Sequence, residues 1–415
     1  MPDPTKIHPR LREHLQAQPR AVLAAPEPLP VIVQYRFPVV GIAEAIQGVV
    51  ATTRTYRLIA ASAHLALPAA INALSERDQV AMIWYDESVH TMLDASVPLI
   101  DAPLVWQAGI TGQGIKVAIV DTGIDPNHPD FAGRIVQIKD FTGEGDVDKN
   151  GHGTHVAGIV GGSGAASQGT FRGVAPACSF YIAKVLRANG SGRMSDVMMG
   201  VEWAVEQGAQ VVNLSLGSDG ACDGTDALSV LCDAAVAKGV VLCVAAGNAG
   251  PGTSTVGSPG CAKTVITVGA TTKTDQIADF SSRGPTSDGR IKPDVCFPGV
   301  SIVACRASGT SMGTPVDTWY TRASGTSMAT PHATGACALL LQARPGLSPQ
   351  QIKEILMNTA RDLGLDANTQ GKGRAQVFAA YQSALGQEPQ PQPPAPPPPP
   401  GTGCLATLQR WFGVR

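Results

Sequence analysis

The chain has 415 residues, of which 44% are hydrophobic and 15% are charged, and its formal net charge is −2. This length favours two folded units with tails, and the 46 glycines are typical of an α/β protein with many tight turns. A net charge so close to zero argues against nucleic acid or an anionic membrane surface as a partner.

Nine cysteines occur without any C-x-x-C pair, so the sequence does not predict a zinc site. Three of them lie in apolar runs and are interpreted as small core residues: Cys178, Cys243 and Cys337. Two disulfide pairings stay open for an oxidising compartment, Cys222 with Cys232 and Cys296 with Cys305.

Residues 1–30 are rich in proline and polar residues and predict a mobile N-terminal segment. The segment lacks the apolar stretch of a secretory signal, and no run approaches the length of a membrane span. We therefore expect a protein without a membrane span that stays inside the cell or is exported by a route that its sequence does not reveal.

Residues 31–97 carry the pattern of a small α+β domain. Strand-like and helix-like segments alternate there, which predicts the order β-α-β-α-β. The predicted strands are 31–37, 55–60 and 79–85, and the predicted helices are 41–50 and 68–77.

Residues 98–386 have a different pattern, in which apolar strands alternate with helices. This alternation predicts a doubly wound, mostly parallel sheet with helices on both faces. The predicted strands are 115–120, 179–186, 210–216, 240–246 and 264–269, and the predicted helices are 196–207, 226–238 and 349–359.

The C-terminal residues have a composition that does not predict a packed core. Residues 387–400 are read as a polyproline linker, and residues 401–415 as a short tail. A free tail and a peptide that docks on a protein partner are the two alternatives for this end of the chain.

Four polar residues follow predicted strands or open predicted helices, where the functional groups of doubly wound sheets gather. They are Asp121, His152, Asn248 and Ser327. A serine hydroxyl becomes a nucleophile when an imidazole takes its proton and a carboxylate orients that imidazole. An asparagine amide can donate a hydrogen bond to the oxyanion that forms.

The segments around these residues resemble the signature segments of subtilisin-type serine endopeptidases, the subtilases. The segments are 121–125, 151–155, 246–248 and 325–332, in the order Asp, His, Ser that subtilisin has. The resemblance extends over residues 103–384. It implies a subtilisin-like fold and hydrolysis of polypeptide substrates through an acyl-enzyme, without a catalytic cofactor.

Carried over residue by residue, the resemblance assigns roles in the reaction. Ser327 is then the nucleophile, His152 is the general base and later the acid, and Asp121 is the orienting carboxylate. Asn248 and the backbone N–H of Ser327 are the oxyanion donors.

The resemblance also implies where a peptide binds. One strand edge pairs with an extended substrate, and residues 254–260 form a wall of the pocket for the side chain before the cleaved bond. The substrate-binding residues are Leu214, Ser215, Leu216, Gly217, Ala246, Gly247 and Gly257. The wall contains no acidic residue, so we expect broad specificity with a preference for apolar or aromatic side chains.

The domain at 31–97 resembles a subtilase propeptide with a ferredoxin-like α+β fold, which acts as an intramolecular chaperone and inhibitor. Residues 90–98 would then lie in the cleft and be cut by the enzyme itself, so the chain is expected to be a self-processing zymogen. The alternative is a permanent accessory domain.

A structural Ca²⁺ ion is a further expectation, with Asp130 matching a ligand of the family. The partner loop 161–173 departs from the family pattern, since it lacks the expected asparagine. Acidic loops offer other oxygen ligands, and their members are Asp140, Glu144, Asp146, Asp148, Asp223 and Asp226.

A near-copy of the serine motif at 308–315 introduces a rival nucleophile, Ser311. Its G-x-S-x-G pattern is typical of α/β-hydrolases, in which an acid and then a histidine follow the serine. Only Asp317 and His332 stand in those places, too close along the chain to come from separate strand ends. Ser311 is therefore interpreted as a surface serine, and His155 and His332 as structural residues. An esterase, an inactive scaffold and an interaction protein remain as other classes.

Overall fold

The computed structural model describes residues 2–8, 11–12, 15, 27–37, 43, 45–56, 60–85 and 95–387. They belong to two compact units, with the boundary between Thr91 and Met92. Most of the predicted polyproline linker and the whole predicted tail lie outside the described residues. Within those residues, no helix is both long enough and apolar enough to cross a membrane.

The small unit contains a four-stranded antiparallel sheet in the order β2-β3-β1-β4. Its elements are β1 Leu29–Tyr35, β2 Val49–Thr55, β3 Ala61–Ala66, α1 Pro68–Ser75 and β4 Val80–Tyr85. Among the described residues, the one helix of the sheet region, α1, lies between β3 and β4 in the chain. Val31 and Val33 pack with Ile71 and Leu74 of α1 in the core of the unit.

Three predictions for this part of the chain were wrong. The strand predicted at 55–60 is replaced by two strands that flank it, and the helix predicted at 41–50 overlaps the start of β2. β3 was missed because its alanine-rich sequence has weak strand propensity and its burial does not alternate. The mobile segment predicted at 1–30 includes Ile7 and Leu11, which are buried in the core of the small unit.

The large unit is built on a seven-stranded parallel sheet in the order β11-β10-β9-β8-β5-β7-β6. Its strands are β5 Lys116–Asp121, β6 Ile135–Asp140, β7 Ser179–Lys184, β8 Val211–Leu214, β9 Val241–Ala245, β10 Ile266–Thr271 and β11 Val295–Pro298. Its helices include α2 Ser96–Leu99, α3 Ala102–Trp106, α4 His152–Gly161, α5 Met194–Glu206, α6 Ala227–Ala237, α7 Thr326–Ala343, α8 Pro349–Asn358, α9 Ala367–Gln370 and α10 Val377–Ala384.

Side chains of β5 alternate between two hydrophobic cores, one on each face of the sheet. Val117 and Ile119 belong to the core that contains residues of α4 and α7. Ala118 and Val120 belong to the core that contains residues of α5 and α6. The predicted α/β architecture, a parallel sheet covered by helices on both faces, is therefore confirmed.

A small antiparallel sheet lies between β11 and α7 in the chain, in the order β12-β14-β13. Its strands are β12 Ile302–Cys305, β13 Thr314–Pro315 and β14 Tyr320–Ala323. The near-copy at 308–315 is thus part of the connection between β12 and β14, and it opens no helix as the segment at Ser327 does.

The cysteine pairing differs from both predicted alternatives. Cys222 forms a disulfide with Cys261, with a Cα–Cα distance of 5.9 Å. The described cysteines outside this bond are free and buried: Cys178, Cys232, Cys243, Cys296, Cys305 and Cys337. The core interpretation of Cys178, Cys243 and Cys337 is confirmed.

Candidate active site

The candidate site lies at the carboxyl edge of the parallel sheet, where the loops after the strands converge. Asp121 is the last residue of β5, and Asn248 follows β9 by three residues. His152 is the first residue of α4, and Ser327 is the second residue of α7. His152, Asn248 and Ser327 line one cleft of about 540 Å³.

Asp121 holds the imidazole of His152. The Nδ1 atom of His152 lies 2.7 Å from Oδ1 of Asp121, and the Thr122 N–H donates to the same oxygen at 2.7 Å. The Asp121 side chain is fully buried, whereas 21% of the His152 side chain is exposed. With the Nδ1 proton donated to the carboxylate, Nε2 is left as the proton acceptor.

The charge around His152 makes it a stronger base. Burial lowers the pKa of His152, but the charge of Asp121 and the hydrogen bond to it outweigh burial, and Asp148 adds to their effect. The pKa of His152 is therefore raised above its usual value, which is the change that favours proton transfer to Nε2.

Two glycines explain why His152 sits at this exposed position. Gly151 has a φ of +104°, and a Cβ there would lie 2.7 Å from Oγ1 of Thr310. A Cβ at Gly153 would overlap the carbonyl oxygen of Gly123 in the loop after Asp121. The missing side chain of Gly153 lets the start of α4 approach the loop after β5, and that of Gly151 lets it approach the segment at Thr310.

Ser327 lies in the first turn of α7, where backbone N–H groups have no helical acceptor. Its hydroxyl donates to the carbonyl oxygen of Ser215 at 3.0 Å. Among the described residues, it makes no hydrogen bond with His152. Catalytic hydrogen bonds are often long or poorly aligned before substrate binds, and Ser327 lines the same cleft as its predicted base without such a bond here.

The side chain of Asn248 is oriented by Thr326, the residue before Ser327. Its Oδ1 accepts hydrogen bonds from the N–H and the hydroxyl of Thr326, at 2.9 and 3.0 Å. This identifies the amide oxygen by its donors, and it leaves the Nδ2 hydrogens of Asn248 available on the cleft side.

Asp148 belongs to the site, although the sequence predicted it only as a member of an acidic loop. It is buried, and its Oδ1 accepts from the Thr122 hydroxyl and the N–H groups of Asn150 and Gly151. Its Oδ2 accepts from the N–H and hydroxyl of Thr154. One carboxylate therefore ties the loop after Asp121 to the first turn of α4. Its place four residues before His152 is the only sequence signal for this role.

The predicted substrate-binding residues come together with one exception. Those that line the cleft are Ser215, Leu216, Gly217, Ala246, Gly247 and Gly257. Leu214 does not line it, because its side chain is fully buried in the core below the sheet. A second rim that was not predicted runs along 190–194 and includes Arg193 and Met194.

The surroundings of Asp130 do not fit a calcium ion. Its buried carboxylate accepts hydrogen bonds from the N–H groups of Gly164 and Ala166 and from the Tyr320 hydroxyl, and Cys305 Sγ donates to it at 3.5 Å. These neighbours are donors rather than the oxygen ligands that calcium takes. The predicted metal role of Asp130 is therefore not supported by this geometry.

The remaining histidines of the motifs are neutral and internal. His155 contacts the carbonyl oxygens of Ile302 and Thr321, and burial lowers the pKa of His155 to about 3. His332 hydrogen-bonds Ser96 at 2.9 Å, and burial lowers the pKa of His332 to about 4. Both fit the structural role predicted for them.

Comparisons with known proteins agree with this geometry. The subtilase family model matches residues 112–376. Serine protease AprX of Bacillus subtilis (strain 168) is 38% identical over 350 residues, 74% of this chain and 75% of AprX. Subtilisin DY of Bacillus licheniformis is 42% identical over 292 residues, 69% of this chain and 97% of that relative.

Among solved structures, a cold adapted subtilisin-like serine proteinase is 34% identical, with a TM-score of 0.51. The alignment covers 64% of this chain and 88% of that proteinase. The chain therefore belongs to the subtilase family, and it is a subtilisin-like serine protease that hydrolyses peptide bonds.

Proposed function

We propose that Asp121, His152 and Ser327 are the catalytic triad of this protease. The observation that carries the proposal is the 2.7 Å contact between His152 and buried Asp121, in the cleft that Ser327 also lines. As a subtilase, the chain needs no cofactor for this reaction.

In the acylation step, Ser327 Oγ attacks the carbonyl carbon of the substrate while Nε2 of His152 takes the hydroxyl proton. The negative charge moves to the carbonyl oxygen, where Nδ2 of Asn248 and the N–H of Ser327 donate hydrogen bonds. The C–N bond then breaks, His152 returns the proton to the leaving amine, and Ser327 carries the acyl group. Water repeats the sequence and releases the carboxylic acid.

Ser327 must leave its present hydrogen bond for this reaction to begin. Rotation of its side chain away from Ser215 would bring Oγ towards His152 and free the Ser215 carbonyl oxygen. That oxygen and the adjoining Leu216 and Gly217 line the cleft, which suits pairing with the backbone of an extended peptide.

The wall at 254–260 is proposed to make the pocket for the side chain before the cleaved bond suitable for uncharged side chains. This wall contains no acidic residue, and the nearby Asp226 carboxylate accepts hydrogen bonds from Ser229 and Ser258. A wall without a charged side chain favours apolar or aromatic side chains, and backbone pairing favours broad specificity.

We further propose that residues 31–97 are a propeptide and that 98–386 are the catalytic domain. The antiparallel sheet of the small unit and its place before the protease support this division. The propeptide would inhibit the cleft until the enzyme cuts the chain within 90–98, of which 90–94 lie outside the described residues. The expectation that all of 90–98 lies in the cleft was wrong for Ser96 and Val97, which are buried in α2 of the large unit, so we place the cut before Ser96. A protein partner for the polyproline segment 387–400 is a separate proposal.

A pair of serine variants tests the proposed nucleophile. Ser327→Ala is expected to accumulate as a full-length chain without activity on casein, because neither processing nor hydrolysis can begin. Ser311→Ala, the matched control in the near-copy, should process itself and hydrolyse casein as the wild type does. The reverse pattern would make Ser311 the nucleophile and overturn the assignment.

A further inference from the structure

The disulfide joins the two walls of the proposed side-chain pocket. Cys222 lies in the segment between β8 and α6, whose first residues Ser215 to Asp219 line the cleft. Cys261 lies three residues after Ser258, which lines the opposite wall with Gly257. The bond thus links two segments that are 39 residues apart in the chain.

The two segments already contact each other through their backbones. The Ser218 N–H donates to the Ser258 carbonyl oxygen at 2.8 Å. A Cβ at Gly257 would overlap the carbonyl oxygen of Ser218, and one at Gly217 would lie 3.0 Å from that of Ser258. Backbone of both segments therefore lines the cleft in direct contact, and any separation of the segments changes the width of the pocket.

The disulfide also supports a third part of the cleft. Cys222 and Cys261 form one small apolar cluster with Ala246 and Val256. Ala246 lines the cleft two residues before Asn248. The disulfide therefore belongs to the same cluster as Ala246, a residue that lines the cleft.

The segment that carries Cys222 is irregular and partly exposed. Residues 215–226 contain no helix or strand, and Asp219, Gly220 and Ala221 are exposed. Its other ties are hydrogen bonds, such as the Ser287 N–H that donates to the Cys222 carbonyl oxygen at 3.0 Å and the Arg290 side chain that donates to the Asp223 carbonyl oxygen at 2.7 Å. A covalent link removes many of the alternative conformations of such a segment.

We propose that the Cys222–Cys261 disulfide is a specificity-determining clamp, which fixes the width of the pocket that takes the side chain before the cleaved bond. This inference rests on the proposed function. Without the clamp, the segment 215–222 can move away from Gly257, and side chains of different size bind more equally. The groups at Asp121, His152 and Ser327 are on other segments and keep their chemistry.

The test compares the wild type with Cys222→Ala/Cys261→Ala. Peptide p-nitroanilides with Ala, Leu or Phe before the cleaved bond report kcat/KM for three side-chain sizes. The ratio between the best and the poorest substrate is expected to fall at least about threefold in the double variant, since pocket fit discriminates by such factors. Cys232→Ala removes a free buried cysteine of α6 and should leave the ratio unchanged.

An unchanged ratio of kcat/KM between the best and the poorest substrate in a folded double variant would overturn the proposal. The absence of a disulfide-linked Cys222–Cys261 peptide from a non-reducing digest of the wild type would also overturn it. If the double variant does not fold, the processed wild type is assayed with and without tris(2-carboxyethyl)phosphine, and mass spectrometry confirms reduction of this bond. The same fall in ratio is then expected, and an unchanged ratio contradicts the inference. A wild type that hydrolyses none of the peptides would instead contradict the proposed function.

Discussion

The amide oxygen of Asn248 accepts both the N–H and the hydroxyl of Thr326, at 2.9 and 3.0 Å. These bonds tie the loop after β9 to the residue before Ser327. The proposed oxyanion donor therefore does not need to reorient when the substrate carbonyl becomes charged, and such preorganisation is what makes a donor effective.

Asn248→Ala removes this donor while leaving Asp121 and His152 in place. We expect kcat to fall about 10²- to 10³-fold with a small change in KM, the range known for loss of one oxyanion donor in subtilisin. Steady-state kinetics on a peptide substrate measure kcat and KM separately. Thr326→Ser keeps both donors to Oδ1 and serves as the control, and a loss of activity through KM alone in Asn248→Ala would contradict the role.

The raised pKa of His152 predicts the position of the acid limb in the pH profile. Only the neutral imidazole accepts the Ser327 proton, so kcat/KM rises as pH increases through this pKa. Because the Asp121 charge and hydrogen bond outweigh burial, the midpoint is expected above about 6.5, the usual histidine value. A profile of kcat/KM from acid to neutral pH checks this, and a midpoint below the usual value would be inconsistent with it.

Asp148→Asn tests the carboxylate that joins the loop after Asp121 to α4. In the variant, an NH₂ group replaces the carboxylate oxygen that accepts a hydrogen bond from the Thr154 N–H. The substitution also removes a negative charge that raises the pKa of His152. We expect a loss of about 1.5–3 kcal/mol in the free energy of unfolding, a lower kcat, and an acid limb that moves to lower pH. Asp146→Asn changes an exposed carboxylate of the same loop and should leave the acid limb in place.

Thermal unfolding and the pH profile of the two loop variants distinguish a positioning role from simple packing. A destabilised Asp148→Asn enzyme with an unmoved acid limb would mean that Asp148 only supports the fold.

Tyr320→Phe tests the internal hydrogen bonds around Asp130. The variant removes the hydroxyl that donates to this buried carboxylate at 2.9 Å, and we expect a loss of about 1–3 kcal/mol in the free energy of unfolding. Added Ca²⁺ should not restore the melting temperature of the variant, because the other donors to Asp130 stay in place. Tyr381→Phe is the control, and recovery with Ca²⁺ would reinstate Asp130 as a ligand.

Local sequence patterns predicted the large unit well because its strands are buried on both faces and its site residues lie at strand and helix ends. Chain order favours Ser327 over Ser311 as the nucleophile, and the pair of serine variants tests that prediction. The sequence did not predict that Leu214 points into the core. All residues of β8 are buried, so apolar and polar positions do not alternate along it and do not indicate which side chains face the cleft.

Local sequence patterns do not predict contacts between residues that are far apart in the chain. The donors to Asp148 come from both the loop after β5 and α4, and only the fold brings them to one carboxylate. The disulfide partner of Cys222 likewise depends on the contact between two loops. Cys232, which is closer to Cys222 in the sequence, lies in α6 and is free and buried.

Gly257 limits how this protease can be redesigned. Since any side chain there would overlap the Ser218 carbonyl oxygen, a narrower pocket cannot be engineered by substitution at this position alone. The opposite rim has side chains such as Arg193 and Met194 that face the cleft and are exposed. Libraries that aim to change substrate selection should therefore vary this rim and leave the glycine as it is.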